Sequence, residues 1–185
     1  MELRTRRLRL REVDDRDIVH FRRHLNYPEI AYFQCYDYPF SENSAEDIFS
    51  RFRELKKLNP RRGYYFAIDF GKNFAGYIDI EGLHNLDNLG YLSYWLSGFF
   101  WKESVMSEAF DEILNFSFNY LDLNNLVACA ASANEKSINL LKAKNFEIVH
   151  ADEDRFISPV DETRYASFIF NLSKKDYFKR PHEKG

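Results

Sequence analysis

The middle of the chain constrains the fold most strongly. Residues 63–69, 74–83 and 89–97 are rich in Tyr, Phe and Ile, and short turns at 71–73 and 85–88 separate them. Three strand-like segments joined by such short turns are typical of an antiparallel meander. The sequence therefore predicts a meander in the central part of the chain.

Strands and helices are predicted on both sides of the meander. Residues 6–11 alternate Arg and Leu with period two, which predicts a strand with Leu8 and Leu10 inward. Asp14 precedes one apolar stripe at helical spacing, and residues 44–47, which resemble a capping box, precede another. Beyond the meander the pattern predicts a helix at 104–120, a strand at 126–130, a helix at 135–144 and strands at 146–150 and 163–171.

The predicted element order is β-αα-βββ-α-β-α-ββ. It contains no internal repeat and no linker-like stretch, so we predict one domain over residues 1–173. Residues 174–185 are charged, and they predict a loose tail.

Composition excludes several classes of protein. The chain of 185 residues is 45% hydrophobic and 17% aromatic, which suffices for a sizeable core and argues against disorder. Cys35 and Cys129 are far apart and form no CxxC pair, which argues against a disulfide scaffold or a structural zinc site. Neither a signal peptide nor a membrane-length apolar run occurs, so we expect a cytoplasmic protein that does not act in a membrane.

One segment aligns without a gap to a family pattern. Residues 94–109, YWLSGFFWKESVMSEA, resemble the Y-W-L-x-P-x-Y-W-G-K-G-Y-A-T-E-A segment of GNAT-type N-acetyltransferases, in particular the branch that acetylates N-terminal alanines of ribosomal proteins. Residues 7–11 resemble that family's opening E-R-L-x-L-R strand, and residues 134–146 its N-x-x-S-x-x-L-L-x-K-x-G-F segment. The resemblance implies an α/β (α+β) fold with a mixed, mostly antiparallel twisted sheet of about seven strands flanked by about four helices.

The same resemblance implies transfer of an acetyl group from acetyl-CoA to a primary amine, on a protein N-terminus or a small molecule. It assigns Ser137 as donor to the CoA sulfur and Asn134 as a pantetheine contact. The remaining implied cofactor-binding residues are Tyr94, Trp95 and Leu96 on the pantetheine strand, and Lys102, Glu103, Ser104, Val105, Met106 and Ser107 in the pyrophosphate turn.

The pyrophosphate turn departs from the family pattern. Lys102 and Ser104 stand where the family has glycines, and Met106 stands where the family has its next small residue. Glycine lets phosphate oxygens approach the backbone closely, and Glu103 and Glu108 add negative charge here. Two interpretations stay open: a phosphate cradle, or an ordinary helix start capped by Ser104. The second allows an alternative function, a catalytically degenerate binding module.

Proton transfer and acceptor binding have less specific signals. Asp79 and Glu81 alternate along one strand and would share a face, which makes them candidate general bases, with a slight preference for Glu81. A solvated strand face is the plainer interpretation. Aromatic residues between the first two helices lie where the resemblance places an acceptor pocket, and they could instead cap the core: Tyr32, Phe33, Tyr36 and Tyr38.

Three further hypotheses come from the remaining residues. His20 and His24 have a metal-binding spacing, but the Phe-Arg-Arg between them offers no acid, so we predict no metal. The first 23 residues carry eight Arg against five acids, which raises nucleic-acid binding as a third function. With a net charge of −3 for the chain, we favour a solvated edge strand for Arg7, Arg9 and Arg11 instead. The aromatic content is also compatible with a homo-oligomer.

Overall fold

The computed structural model describes residues 1–179, which form one eight-stranded sheet with helices on both faces. The strands are β1 (Glu2–Arg4), β2 (Leu8–Glu12), β3 (Gly63–Phe70), β4 (Asn73–Glu81), β5 (Leu89–Leu96), β6 (Asn125–Ala131), β7 (Glu147–Ile157) and β8 (Arg164–Ser173). The helices are α1 (Ile18–His24), α2 (Pro28–Ala31), α3 (Glu42–Lys57), α4 (Val105–Asn115), α5 (Glu135–Ala143) and α6 (Lys174–Phe178).

The predicted fold class is confirmed. The strand order is β1-β2-β3-β4-β5-β6-β8-β7, and every neighbouring pair is antiparallel except β5 with β6. The predicted meander is β3-β4-β5. Within residues 1–179, eight strands and six α-helices replace the expected seven and four.

Strand β1 corrects the prediction that β2 lies at the edge of the sheet. Leu3 pairs with Leu10, and β1 covers the outer side of β2. Only three residues long, β1 is too short to show a periodic pattern in the sequence. Its presence gives β2 a neighbour on each side.

The helix termini follow local chemistry. Helix α3 begins after Ser41, whose Oγ accepts a hydrogen bond from the Ser44 amide, and not at the capping box expected at residues 44–47. Helix α4 is α-helical to Asn115 and continues as a π-helical turn over Phe116–Tyr120. The single predicted helix at 104–120 therefore changes its hydrogen-bond pattern near its end.

Two apolar clusters hold the sheet between the helices. Helices α4 and α5 cover one face, where Phe66, Ile78, Phe110 and Leu141 are buried. Helices α1 and α3 cover the other face with an aromatic cluster made of Phe21, Phe49, Phe52, Tyr65, Tyr77 and Trp95. The alternation along β4 sends successive side chains to these two clusters.

The first residues of the predicted tail are structured. The sequence predicts a loose segment from residue 174, but Lys174–Phe178 form α6, and Ser173 caps it. The buried Tyr177 ring stacks on Phe118 at 4.9 Å. The rest of the predicted tail, residues 180–185, lies outside the described residues. Within residues 1–179, no helix is both long enough and apolar enough to cross a membrane.

We predict that Gly76→Ala destabilises the fold. A Cβ at Gly76 would lie 2.4 Å from the Trp95 carbonyl oxygen and 3.0 Å from the Leu96 Cα, both of which are backbone atoms. Strands β4 and β5 would have to move apart, so the free energy of unfolding should fall by about 3 kcal/mol in urea denaturation. The control Gly98→Ala, with no atom closer than 3.8 Å, should change it by less than about 0.5 kcal/mol. Equal losses in the two variants would contradict this account.

Candidate functional site

Strands β5 and β6 part within the sheet. They pair at three positions, Leu89 with Asn125, Gly90 with Leu126 and Tyr91 with Val127, and then diverge. Beyond Tyr91, β5 continues to Leu96 and remains paired with β4 on its other side. An extended molecule can therefore hydrogen-bond to the open side of β5 and substitute for a missing strand.

Tyr94 and Ser137 meet beside this gap. The Tyr94 hydroxyl and Ser137 Oγ are 2.5 Å apart, which links β5 to α5. The Asn134 side chain accepts a hydrogen bond from the Ser137 amide and so caps α5, as the sequence predicts. Burial raises the pKa of Tyr94 to about 12, although the hydrogen bond with Ser137 works against the shift. At neutral pH the Tyr94 hydroxyl is therefore protonated and can donate.

The turn before α4 has an unusual backbone. Ser104 adopts the left-handed conformation with φ of 53°, and its side chain makes no capping hydrogen bond. Ser104 is thus the N-cap residue of α4, as expected, but it caps without its side chain, and Met106 is buried as expected. The amides of Val105, Met106 and Ser107 open the helix, where no preceding turn supplies them with acceptors. This positive end of α4 is a suitable partner for an anion.

Of the two acidic residues near this turn, Glu108 is paired with a positive charge. Glu108 accepts hydrogen bonds from the Thr5 hydroxyl and from the backbone and side chain of Arg7. Burial opposes ionisation, but these bonds hold the pKa of Glu108 below its usual range. The Arg7 guanidinium also donates to the Glu103 carbonyl at 2.9 Å. Arg7 therefore offsets the negative charge of Glu108 and fixes the turn to β2.

Trp101 lies across the same gap. Its indole N–H donates to the Leu96 carbonyl at 3.0 Å, and the Lys136 ammonium lies 3.3 Å from its ring centroid. The sequence did not single out Trp101 and Lys136, which come together only because α4 and α5 flank the parted strands. Lys102 and Glu103 are exposed.

Asp79 and Glu81 lie on the opposite face of the sheet. They share that face as the sequence predicts, and Asp79 pairs in register with Ser93, within the parted section of β5. Tyr94, one residue further on, points to the α4 side, where it contacts Phe110. The gap therefore has a hydroxyl pair on one face and carboxylates on the other.

The two carboxylates differ in environment. Asp79 is only 5% exposed, and its Oδ1 has no hydrogen-bond partner among the described residues. Burial raises the pKa of Asp79 well above its usual range, and the Glu81 charge adds to the shift, while a hydrogen bond from Tyr77 opposes it. Glu81 forms an ion pair with Arg51 at 2.7 Å. A buried carboxyl with a raised pKa is the better placed of the two to exchange a proton.

The aromatic residues between α1 and α3 do not form one cluster. Tyr32 and Phe33 pack on the β7–β8 hairpin, where the Tyr32 hydroxyl hydrogen-bonds Tyr165 at 2.8 Å and donates to Asp161 at 3.0 Å. Tyr36 packs on the buried Phe40 instead. Tyr38 is half-buried in the same segment. The sequence could not reveal Tyr165 and Asp161 as partners, because more than 125 residues separate them from Tyr32.

Three other residues singled out in the sequence have packing roles. The Trp95 side chain is buried in the aromatic cluster under α1, so only its main chain reaches the gap. His24 is also buried there, and burial lowers its pKa to about 4. His20 stacks on Phe74 at 4.6 Å between ring centroids.

Comparisons with known proteins agree with this geometry. Residues 7–147 match the sequence model of the family described as acetyltransferase (GNAT) domain. A stretch of 85 residues is 34% identical to YdaF of Bacillus subtilis (strain 168), a provisionally assigned ribosomal N-acetyltransferase. That stretch is 46% of this chain and 45% of YdaF, so the match spans less than half of that relative.

Solved structures share the fold across nearly the whole chain. Ribosomal-protein-S5-alanine acetyltransferase from Vibrio fischeri superposes with a TM-score of 0.81 at 16% identity, covering 96% of this chain and 98% of its own. Spermidine N-acetyltransferase from Vibrio cholerae, solved with CoA and spermine, gives 0.80 at 15% identity, covering 94% and 99%. At these identities the likeness establishes the fold alone.

We predict that Ser104→Gly stabilises the protein. A side chain at φ of 53° is strained, and glycine removes that strain, so the free energy of unfolding should rise by about 1 kcal/mol in urea denaturation. Ser107→Gly is the matched control in the first turn of α4, and it should lower the free energy by about 0.5 kcal/mol through helix propensity. A loss of stability in Ser104→Gly would show that the left-handed turn is not strained.

Proposed function

Because the chain belongs to the GNAT acetyltransferase family, we propose that it transfers an acetyl group from acetyl-CoA to a primary amine. The observation that carries the proposal is the parting of β5 and β6 after Tyr91 and Val127, which opens a slot through the sheet. Such a slot allows a donor and an acceptor to meet from opposite faces. The acceptor is an amine of a peptide or of a small molecule.

The residues beside the slot fit the donor. The open side of β5 offers main-chain groups to a pantetheine arm, and the first amides of α4 offer donors to a pyrophosphate. Lys102 adds a positive charge beside the turn, and Arg7 already pairs with Glu108. Bound acetyl-CoA supplies the activated thioester, and the protein supplies orientation and proton transfer.

The two faces of the sheet supply different groups for proton transfer. Asp79 accepts the proton that the attacking amine loses, since it is buried and carries a raised pKa. Ser137 donates a hydrogen bond to the departing sulfur, and the protonated Tyr94 hydroxyl donates in turn to Ser137 Oγ. Glu81, held by Arg51, adds negative charge that attracts a cationic amine.

A binding module without turnover is the second candidate function. Its support is the glycine-poor turn, where Lys102, Ser104 and Met106 replace small residues and Ser104 holds a left-handed backbone. This alternative keeps the slot and the cofactor site but lacks acetyl transfer. It therefore predicts binding of acetyl-CoA with no release of CoA.

We predict that acetyl-CoA binds and that Ser137→Ala slows turnover. Calorimetry should show a heat of binding, and a panel of peptide and polyamine acceptors should release CoA in a thiol assay. Ser137→Ala should lower kcat by about 100-fold, because the sulfur loses a donor, while the backbone amide that Asn134 caps stays in place. Ser50→Ala on α3 is the control and should leave kcat unchanged.

Two outcomes would count against acetyl transfer. No heat and no thermal stabilisation at millimolar acetyl-CoA would reject the donor. Binding without CoA release from any amine of the panel would favour the binding module.

We predict that Asp79→Asn removes the pH dependence of the reaction on its acidic side. In the wild type, kcat/KM should rise with pH as Asp79 loses its proton, and Asp79→Asn should lower kcat/KM by about 100-fold and abolish that rise. Glu81→Gln is the control and should retain the rise. The opposite result, with the rise lost only in Glu81→Gln, would make Glu81 the base, as the sequence alone slightly favours.

Stability gives a second readout of the same group. Because the pKa of Asp79 is raised, the folded protein keeps a proton on this carboxyl at pH values where the unfolded chain has lost it. The contribution of that proton to the free energy of unfolding is therefore complete only below the unfolded pKa of about 3.9. That contribution is lost as the pH rises from there through the folded pKa. Thermal unfolding of Asp79→Asn should lack this part of the pH dependence.

A further inference from the structure

A second concave site lies on the α1 side of the sheet, at the other end of β4 from Asp79. It is an open groove of about 1040 Å³ between the β1–β2 hairpin, α1, the β3–β4 turn and the segment after β5. Seven arginines and one lysine line it: Arg4, Arg6, Arg7, Arg9, Arg11, Arg16, Arg23 and Lys72. The acetyl-transfer proposal uses only Arg7 of this set.

The groove is strongly positive within an acidic protein. Eight Arg and Lys face two acids of the lining, Asp17 and Asp69. Three more acids just outside the lining, Glu2, Asp14 and Glu108, pair with Arg4, Arg16 and Arg7, which leaves a formal charge of +3. The whole chain carries −3, so the charge is separated onto one surface. A concave wall of one sign concentrates the field and attracts ligands of the opposite sign.

The floor of the groove is rigid. Arg11 donates to both oxygens of the buried Asp17 and also to Asp69, and Arg9 donates to Asp69 at 2.7 Å. These four side chains form one connected network on an interior strand. The expectation of an edge strand for Arg9 and Arg11 is therefore wrong, although Arg9 is exposed. The network fixes the shape of the groove and leaves the outer cations to meet a ligand.

The rim carries the available charge. Arg6 and Lys72 are exposed and have no hydrogen-bond or ion-pair partner among the described residues, and Arg23 has only the Tyr27 hydroxyl, at 3.5 Å. Arg6 lies in the turn before β2, Lys72 in the turn between β3 and β4, and Arg23 on α1. A ligand that met all three would have to carry several negative charges along its length.

Aromatic rings complete the site. Phe99 is 72% exposed at the wall of the groove, and His20 stacks on Phe74 inside it. Exposed aromatic rings beside arginine guanidinium groups offer faces for stacking of bases. A purely acidic chain such as polyglutamate would use the charges but would leave the exposed face of Phe99 without a partner.

We propose that this groove binds the sugar-phosphate backbone of a single-stranded nucleic acid, with Arg6, Arg23 and Lys72 on phosphates and Phe99 against a base. The proposal reverses the expectation from net charge, because the overall value of −3 conceals the +3 of the groove. It is independent of acetyl transfer and requires no change at Asp79 or Ser137.

The test is fluorescence anisotropy with labelled single-stranded RNA and single-stranded DNA of one sequence. Three phosphate contacts predict a slope of about −2 for the logarithm of affinity against that of salt, or roughly a 20-fold loss between 50 and 200 mM salt. The double variant Arg6→Glu with Lys72→Glu should bind at least about 10-fold more weakly and with a shallower slope. Both exposed side chains lack partners within residues 1–179, so the unfolding temperature of the double variant should not change.

Control variants separate the effect of the groove from that of total charge. The matched charge reversal Lys57→Glu with Lys175→Glu lies away from the groove and should bind as the wild type does, and the neutral pair Arg6→Gln with Lys72→Gln should fall between. Equal losses in the groove and control variants, a full affinity for the groove variant, equally tight binding of polyglutamate, or displacement of the nucleic acid by acetyl-CoA would each overturn it. Tighter binding of RNA or of DNA would support it and identify the ligand.

Discussion

The absence of hydrogen bonds between the outer halves of β5 and β6 governs much of this structure. Main-chain donors and acceptors inside a sheet require partners. Beyond Tyr91, no strand in the described part of the chain pairs with the open side of β5. The fold tolerates this because β4 holds β5 from one side and β8 holds β6 along seven positions. The gap therefore lies between two well-paired halves of the sheet, strands β1–β5 on one side and β6, β8 and β7 on the other.

The opening also explains the different chemistry of the two sheet faces. Strand alternation sends Tyr94 towards α4 and α5, and Asp79 towards α1 and α3. Hydrophobic packing then buries Asp79 beside Tyr77 and raises its pKa, while Glu81, two residues away, is ion-paired with Arg51. One strand thus supplies a buried carboxyl with a raised pKa and an ion-paired carboxyl within the same site.

Sequence patterns predicted the meander, the fold family and the Asn134 cap, because each depends on neighbouring residues. They did not predict β1, which is too short for a pattern, or the contacts that join distant segments. Arg11 meets Asp69 across 58 positions, and Tyr94 meets Ser137 across 43. For the same reason, the preference for Glu81 over Asp79 ignored Arg51, which only the packing of α3 brings near. The net charge of the chain did not reveal the positive groove, because the distribution of charges over the surface depends on the fold.

The contact between Lys136 and Trp101 has a practical consequence. The chain has two tryptophans, of which Trp95 is buried in the core while Trp101 is solvent-accessible beside the slot. An ammonium 3.3 Å from the centre of an indole ring perturbs its excited state, so any ligand that moves Lys136 also changes the emission of Trp101. The protein therefore carries an intrinsic optical probe at the mouth of its own cleft, and occupancy can be followed without a label.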